Sequence, residues 1–382
     1  MISYVTMKEN KLRNAPGSVR DSIVEYLSTT TSASIHDILK AVESRLGNVS
    51  ASSVRSYLNL NVPDVFERVD RGTYRLTGRA APSVAAENAQ PVFRHGLAAL
   101  YQADCFDWLR AQPSQSIHAV VTDPPYGLVE YTLKEQDKLR RGRGGVWRIP
   151  PSFDGHQRAP LPRFTVLTED DRKAMRLFFH DFGQLLARVA VPGANIVVAS
   201  NTLLAHVVAG AMSEAGLELR GYITRLVMTM RGGDRPKNAH EEFPGVSVMP
   251  RSMHEPWVVL RKPLEGRVQD NLRKWGTGGF RRPSDDRPFG DVIRSHPTPA
   301  SEKRIAAHPS LKPQQFLRQL VRGSLPLGKG IVLDPFAGSG STLAAANAVG
   351  YESLGVERDP AYIELANRSI PLLEKVPVKS AD

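Results

Sequence analysis

A carboxylate, two prolines and an aromatic ring stand directly after an apolar β-run in the first half of the chain. The run is HAVVTDPPYGL, which contains Asp123, Pro124, Pro125 and Tyr126. Open α/β sheets bind ligands beyond the carboxyl ends of their strands, and proline removes N–H donors that would compete for an acceptor. Asp123 and the Pro124 carbonyl can therefore each accept an N–H from an exocyclic amine, while Tyr126 stacks on a planar heterocycle. The alternative is a proline-rich turn with an acidic cap.

A glycine-rich turn follows a second apolar run, near the end of the chain. The segment IVLDPFAGSGSTLAAANAVG places Asp334 after a predicted strand, and Gly338 and Gly340 before a helix that starts at about Ser341. Glycine lets backbone approach a ligand closely, and a helix N-terminus favours negative charge. The turn matches neither a P-loop nor GxGxxG. The next strand ends at Glu357, where an acid suits a ribose diol. The alternative is a nucleotide-binding fold of another kind.

Together the two motifs resemble those of the DNA amino-methyltransferases that use S-adenosylmethionine. The order matches the permuted β group, in which the catalytic motif precedes the cofactor motif. The resemblance covers roughly residues 93–375 and includes LYQADCFDWLRAQPSQSIHAVV and HPSLKPQQFLRQLVR. It implies that Asp123, Pro124, Pro125 and Tyr126 hold the target amine. The residues that it implies for S-adenosylmethionine are Asp104 near the adenine, Lys312 near the methionine carboxylate, Asp334, Phe336, Gly338 and Gly340 at the methionine end, and Glu357 at the ribose.

Apolar β-runs and helical stretches alternate from residue 92 onward, which is the pattern of an open α/β sheet. The resemblance implies a Rossmann-like methyltransferase sheet of seven mostly parallel strands. We predict strands over 97–101, 119–122, 195–199, 221–228, 256–261, 331–333 and 353–356. We predict helices over 104–111, 169–190, 202–215, 312–323, 341–349 and 360–373.

Three helices and a hairpin are predicted before residue 81. Ser18, Ser34 and Ser50 can each cap a helix with apolar residues at helical spacing, and VFERVDRGTYRL alternates as a β-hairpin does. This order resembles a winged helix, which contacts DNA in many proteins and is a dimerisation or docking module in others. The predicted domains are 1–80, winged-helix-like; 81–91, a linker; and 92–382, the permuted catalytic domain.

Two basic stretches, 129–168 and 261–304, interrupt the alternation of strands and helices, and each contains a tryptophan. Loops of such length in a compact domain are often functional. We expect the second stretch to read the DNA sequence and the first to clamp the backbone or flank the target base; the alternative is a solvated loop. The predicted DNA-binding residues are Arg141, Arg143, Arg273, Lys274, Arg281 and Arg282.

The composition limits the classes of protein and site that the sequence allows. Lys and Arg number 50 against 39 Asp and Glu, and the net charge of +11 indicates a polyanionic partner. The single cysteine, Cys105, excludes a disulfide framework and a cysteine-based zinc cluster, and we predict no metal. No uncharged apolar run reaches the ~18 residues of a membrane span, and the first residues lack the apolar core of a secretory signal. We therefore expect a soluble, cytoplasmic protein.

The resemblance favours methylation of adenine N6 in double-stranded DNA, because cytosine-N4 enzymes more often carry Ser where Asp123 stands. The chemistry leaves cytosine N4 open, since both bases present an –NH₂ group. Methylation of cytosine C5 needs a cysteine nucleophile, and Cys105 is interpreted as a small buried residue. Other hypotheses are a catalytically inactive DNA-binding regulator and an RNA or protein methyltransferase. A restriction endonuclease and a second copy of the chain are possible partners.

Overall fold

The chain divides into two compact units. In this computed structural model the described residues are 18–30, 32–47, 49–60, 62, 66–70, 72–76, 90–125, 152–153, 156–157, 169–227, 236, 238–308 and 310–378. The first unit is Met1–Val84 and the second is Ala85–Asp382. The division falls inside the predicted linker 81–91.

The first unit contains the three helices and the hairpin that the sequence predicts. Its elements are α1 (Ser18–Ser28), β1 (Ala33–Ser34), α2 (Ile35–Leu46), α3 (Ala51–Leu60), β2 (Phe66–Asp70) and β3 (Thr73–Leu76). The strands form an antiparallel sheet in the order β1-β3-β2. The Ser34 side chain caps α2 by accepting a hydrogen bond from the backbone N–H of Asp37. Buried Ile23, Ile38 and Phe66 belong to one core. The winged-helix assignment stays a prediction.

The second unit is built from strands that alternate with helices. Its elements are β4 (Phe93–His95), β5 (Ala98–Gln102), α4 (Cys105–Ala111), β6 (Ile117–Thr122), β7 (Ser152–Phe153), β8 (His156–Gln157), α5 (Glu169–Val189), β9 (Ala190–Ala199), α6 (Ala205–Glu214), β10 (Glu218–Leu226), β11 (His254–Arg261), α7 (Val268–Trp275), β12 (Val292–Arg294), α8 (Ala300–Ile305), α9 (Gln314–Ser324), β13 (Ile331–Asp334), α10 (Ser341–Ala348), β14 (Glu352–Glu357) and α11 (Pro360–Leu373).

One large sheet organises the second unit, and β7 forms a separate pair with β8. Over the described residues its nine strands have the order β12-β10-β11-β9-β6-β13-β14-β5-β4. Within that described sheet, only β11 and β4 are antiparallel to their neighbours. The expected number was seven, and it differs because β4 and β12, of three residues each, extend the two edges. Strands this short carry too few residues for an alternating pattern to be visible in the sequence.

Helices cover both faces of the sheet, because successive side chains of a strand point to opposite faces. Val120 packs in one cluster with α4, α5 and α6. Its neighbour Val121 packs in another cluster with α9 and α10. Both faces are therefore buried, as the continuous apolar run of β6 indicates.

The stretch 261–304 contains regular elements, although its composition predicts a loop. It includes α7, β12 and α8. A left-handed Gly276 ends α7, and the buried Asn271 side chain donates to the carbonyls of Pro192 and Thr277. A short helix that is held by a buried polar side chain has too few apolar residues for its periodicity to be visible in the sequence. In the described part of the chain, no helix has the length and apolar character needed to cross a membrane.

Candidate active site

The catalytic and glycine-rich motifs lie at the carboxyl ends of the parallel strands. Asp123 follows β6, Asp334 ends β13, and these two strands are parallel neighbours. The hydroxyl of Thr122 donates a hydrogen bond of 2.7 Å to Asp334 Oδ1. Two segments that stand far apart in the sequence therefore meet in the middle of the sheet.

Asp123 is paired with Lys312. The Lys312 Nζ lies 2.6 Å from Asp123 Oδ2 and 3.6 Å from Glu255 Oε1, and the side chains of Lys312 and Asp123 are 13% and 26% exposed. Burial lowers the pKa of Lys312, but the carboxylates of Asp123 and Glu255 outweigh this effect and leave the pKa above its ordinary value. Lys312 is therefore a positively charged ammonium next to Asp123.

Asp334 is a buried carboxyl group. Burial raises its pKa to about 6, against the opposing effect of hydrogen bonds from Thr342, Thr122 and the backbone N–H of Phe336. The nearby negative charge of Asp123 raises the pKa further. Asp334 therefore changes its protonation state near pH 6.

The turn after β13 has the close approaches that its glycines suggest. Gly340 has φ of 77°, and a Cβ atom there would lie 2.5 Å from Cγ1 of Ile370. Gly338 has φ of 51°, and a Cβ atom there would lie 3.1 Å from Nε2 of His308. A side chain at either position would fill the turn or strain its backbone. The glycines thus let α11 and His308 approach the turn at the start of α10 closely, and we call this turn the glycine cradle.

Glu357 is bound to the same turn. Its Oε2 accepts a hydrogen bond of 2.9 Å from Gly338 N, and its Oε1 accepts bonds of 2.8 Å from the backbone N–H groups of Arg358 and Asp359. The carboxylate is held in a fixed orientation at the end of β14. These three hydrogen bonds leave about one of the roughly four lone-pair sites of the carboxylate, on Oε2, to accept a hydrogen bond from a diol.

Phe336 and Asp104 border the turn in different ways. The centre of the Phe336 ring lies 5.4 Å from that of Phe182, so Phe336 packs against the hydrophobic core at the position of the glycine cradle. Asp104 follows β5 at the same sheet edge and caps α4, with Oδ1 accepting from the backbone N–H groups of Phe106 and Asp107. Burial raises the pKa of the Cys105 thiol well above its ordinary value, which makes it a poor nucleophile.

The proline-rich segment is described only in part. Pro124 is buried and Pro125 is exposed. Tyr126, Arg141 and Arg143 lie outside the described residues. In the parts of the chain that the structure describes, no group of three or more His, Cys, Asp or Glu side chains could hold a metal ion.

The basic residues predicted in 261–304 lie towards the amino ends of the parallel strands. Arg281 donates to the hydroxyl of Tyr351, which directly precedes β14, and Arg282 accepts through its carbonyl from Arg322. On α7, Arg273 pairs with Asp270 and Lys274 pairs with Glu265. The amino and carboxyl ends of the strands are separated by the length of β6, about 20 Å at the usual rise per residue. The structure therefore does not bring these residues together with Asp123, and their contact with DNA stays a prediction.

Three residues that the sequence did not single out also face this site. Glu255 and Arg225 lie opposite each other on β11 and β10, and His308 packs against Gly338 and against the ring of Tyr362. Burial lowers the pKa of His308, which favours its neutral form. The segment MHEPW predicts a strand but not its antiparallel direction, and that direction is what places Glu255 at this edge.

A cavity of about 260 Å³ opens beside the pair of Asp123 and Lys312. Its lining includes Arg225, Glu255, His308 and Lys312. His308 lines this cavity and also packs against Gly338, so the cavity lies next to the glycine cradle. Lys312, which pairs with Asp123, lines the cavity as well, so the cavity, the cradle and this carboxylate are neighbours.

Comparison with known proteins gives a matching family model. A model described as DNA methylase, for N6 and N4 enzymes, matches residues 117–368. The type II methyltransferase M2.LlaDCHI of Lactococcus lactis subsp. cremoris is 30% identical over 87 residues, which cover 23% of this chain and 32% of that protein. The chain thus spans about a third of the length of the curated relatives it matches.

Solved structures with a similar fold have low sequence identity. TTHA0409 of Thermus thermophilus, named provisionally as a DNA modification methylase and solved with S-adenosyl-L-methionine, is 21% identical with a TM-score of 0.45; the match covers 72% of this chain and 94% of that one. The cytosine-N4-specific PvuII DNA methyltransferase is 12% identical with a TM-score of 0.47, over 76% and 90% of the two chains.

Proposed function

We propose a function from the premise that this chain belongs to the DNA methylase family of N6 and N4 enzymes. In this proposal the protein transfers a methyl group from S-adenosylmethionine to the N6 amine of adenine in double-stranded DNA. The observation that carries this proposal is the hydrogen bond of 2.7 Å between Thr122 and Asp334. It joins the catalytic motif after β6 to the glycine cradle after β13, so that a methyl donor and an amine can meet beside Asp123.

Asp123 supplies the main catalytic interaction in this proposal. Its carboxylate and the Pro124 carbonyl accept the two N–H groups of the amine, which turns the nitrogen lone pair out of conjugation with the ring. As positive charge develops on that nitrogen, the carboxylate stabilises it, an effect commonly worth a few kcal/mol. Tyr126 stacks on the base, which has to leave the duplex to reach the site.

The glycine cradle fits S-adenosylmethionine. The left-handed turn at Gly338 and Gly340 would take the methionine end near Asp334 and Phe336. Glu357 would hold the ribose diol, with Asp104 towards the adenine and Lys312 towards the methionine carboxylate. The cofactor supplies an activated methyl group on its sulfonium, so the protein needs to align the reactants and requires no covalent nucleophile.

Adenine rather than cytosine is proposed as the target because Asp stands at position 123, as the family resemblance favours. Cytosine N4 is the alternative, since either base offers the same –NH₂ group to Asp123 and Pro124. The excess of basic residues supports a nucleic acid as the substrate. We extend the proposal to DNA contacts by the first unit and by the basic stretches 129–168 and 261–304, to a cytoplasmic location, and to a homodimer or an accompanying restriction endonuclease.

The test is mass spectrometry of nucleosides from duplex DNA incubated with the protein and isotope-labelled S-adenosylmethionine. Label in N6-methyladenine supports the proposal, and label in N4-methylcytosine supports the alternative. Absence of label in any nucleoside, with the protein folded and binding DNA, would support a regulator without catalysis.

The role of Asp123 is tested separately by Asp123→Ala. We expect this variant to lose transfer almost completely, because the amine loses its charged acceptor, while calorimetry still detects cofactor binding at the cradle. Turnover close to wild type would remove Asp123 from the mechanism.

A further inference from the structure

A row of four charged side chains ends at Asp123. Lys312 Nζ lies 2.6 Å from Asp123 and 3.6 Å from Glu255. The second oxygen of Glu255 accepts a hydrogen bond of 2.9 Å from Nη1 of Arg225. The signs alternate along the row, and the four residues come from four different parts of the fold: the end of β6, the segment before α9, β11 and β10.

The outer end of this row is fixed firmly. The Arg225 side chain is 6% exposed, donates to Ser295 Oγ and to the carbonyl of His296, and lies 5.2 Å above the ring of Phe316. Glu255 Oε1 also accepts a hydrogen bond of 3.0 Å from Nε1 of Trp257. Both oxygens of Glu255 are thus held by side chains that belong to the sheet.

Among the described residues of its own segment, Lys312 has one long contact, in which its Nζ donates to the carbonyl of Ser310 over 3.4 Å. It lies between α8 and α9, outside regular secondary structure, on a long flexible side chain. Its position at Asp123 therefore depends on what its ammonium contacts. Among the residues that the structure describes, Asp123 Oδ2 accepts from Lys312 and its Oδ1 accepts no hydrogen bond.

We infer that Glu255 is a positioning residue of the transfer reaction: anchored by Arg225 and Trp257, it holds Lys312 where the ammonium binds one oxygen of Asp123 and leaves the other for the target amine. Glu255 has a second effect. The Lys312 ammonium repels the positive charge that develops on the amine, and the negative charge of Glu255 offsets that repulsion. This inference rests on the proposed function.

The test compares Glu255→Gln with Glu218→Gln. Glu218 forms the corresponding ion pair of the same two strands at the far edge, with Arg261 Nη2 2.6 Å from its Oε2, so it controls for the loss of a carboxylate from this strand pair. We expect Glu255→Gln to lower kcat on the order of 100-fold, as misplacement of a reacting group does. Glu218→Gln should keep kcat near wild type. Equal activity of the two variants would overturn the inference.

The pH dependence separates positioning from a general structural defect. The charged and titratable groups that face Lys312 are Asp123 after β6, Glu255 on β11, Arg225 on β10 and His308 in its own segment. Without the charge of Glu255, the ammonium of Lys312 loses its proton at lower pH, so the alkaline limb of kcat moves to lower pH. Glu255→Asp retains the charge and should return that limb to the wild-type position, even if kcat recovers only in part. An unmoved limb in Glu255→Gln contradicts the inference.

A direct titration of Lys312 keeps this test independent of the proposed function. Side-chain NMR of labelled lysine, assigned with Lys312→Arg, measures the pKa of Lys312 in wild type and in Glu255→Gln. If the wild-type protein methylates no DNA, the proposed function fails, while a fall in the pKa still supports the coupling of Glu255 to Lys312. An unchanged pKa overturns that coupling whether or not the protein is active.

Discussion

Asp334 illustrates how a single buried carboxyl group makes the site sensitive to pH. Burial raises its pKa to about 6 from an unfolded value near 3.8, so between these values the folded state binds a proton that the unfolded state has released. The contribution of Asp334 to stability is therefore complete below about pH 4 and is lost as pH rises through 6. Its upper limit is about 3 kcal/mol.

Replacing Asp334 by Asn removes this titration. We expect the free energy of unfolding of wild type to fall between pH 4 and 7 relative to that of Asp334→Asn, because only wild type has to ionise a buried group. Urea unfolding at several pH values measures the difference. Parallel curves for the two proteins would show that Asp334 is not the responsible group.

At the scale of elements, the strands and helices that carry the motifs were predictable because their apolar periodicity is long. The helix at 360–373 and the run that becomes β6 are examples, and Asp123 and Asp334 could be placed at strand ends from sequence alone. Glu255 could not, since a strand pattern does not reveal its direction in the sheet. Arg281 could not either, because nothing in KWGTGGFRRP shows that its guanidinium binds Tyr351.

The tight packing of α10 against α11 gives a prediction at this scale. Gly340→Ala places a Cβ atom 2.5 Å from Ile370 in addition to a left-handed backbone, whereas Gly350→Ala has the same φ of 77° and open space around it. We expect Gly350→Ala to lower the free energy of unfolding by about 1 kcal/mol and Gly340→Ala by about 1–3 kcal/mol more, with weaker cofactor binding. Denaturant unfolding and calorimetry measure both. Equal losses would mean that the helix contact adapts at no cost.

At the scale of the whole molecule, the basic residues are spread over more than one surface. Asp123 lies at the carboxyl edge of the sheet, whereas exposed Arg273 and Arg282 lie towards the opposite edge. A duplex bound at Asp123 would have to extend around the unit to reach them. We therefore predict that their contacts, if DNA reaches them, are with phosphates and not with bases.

This placement predicts the behaviour of the double variant Arg273→Ala and Arg282→Ala. If both residues contact phosphates, DNA affinity falls for every sequence, the salt dependence of log K weakens by about 1 for each arginine removed from a phosphate, and the methylated site stays the same. Titrations at several salt concentrations measure the slope. A changed site would indicate base reading, and unchanged affinity would show that this edge does not touch DNA.

The position of β13 and β14 in the sheet has a consequence for how the chain is made. These strands come late in the sequence, yet they lie between β6 and β5, which are synthesised much earlier. During synthesis on the ribosome, β5 and β6 exist before β13 and β14. Each therefore exposes unpaired backbone N–H and C=O groups along the side that will later pair with β14 or β13, and such exposed strand sides can pair with other chains. A chain released after residue 330 would have its sheet divided in two, so we expect such a fragment to aggregate and to depend on chaperones while the finished protein does not.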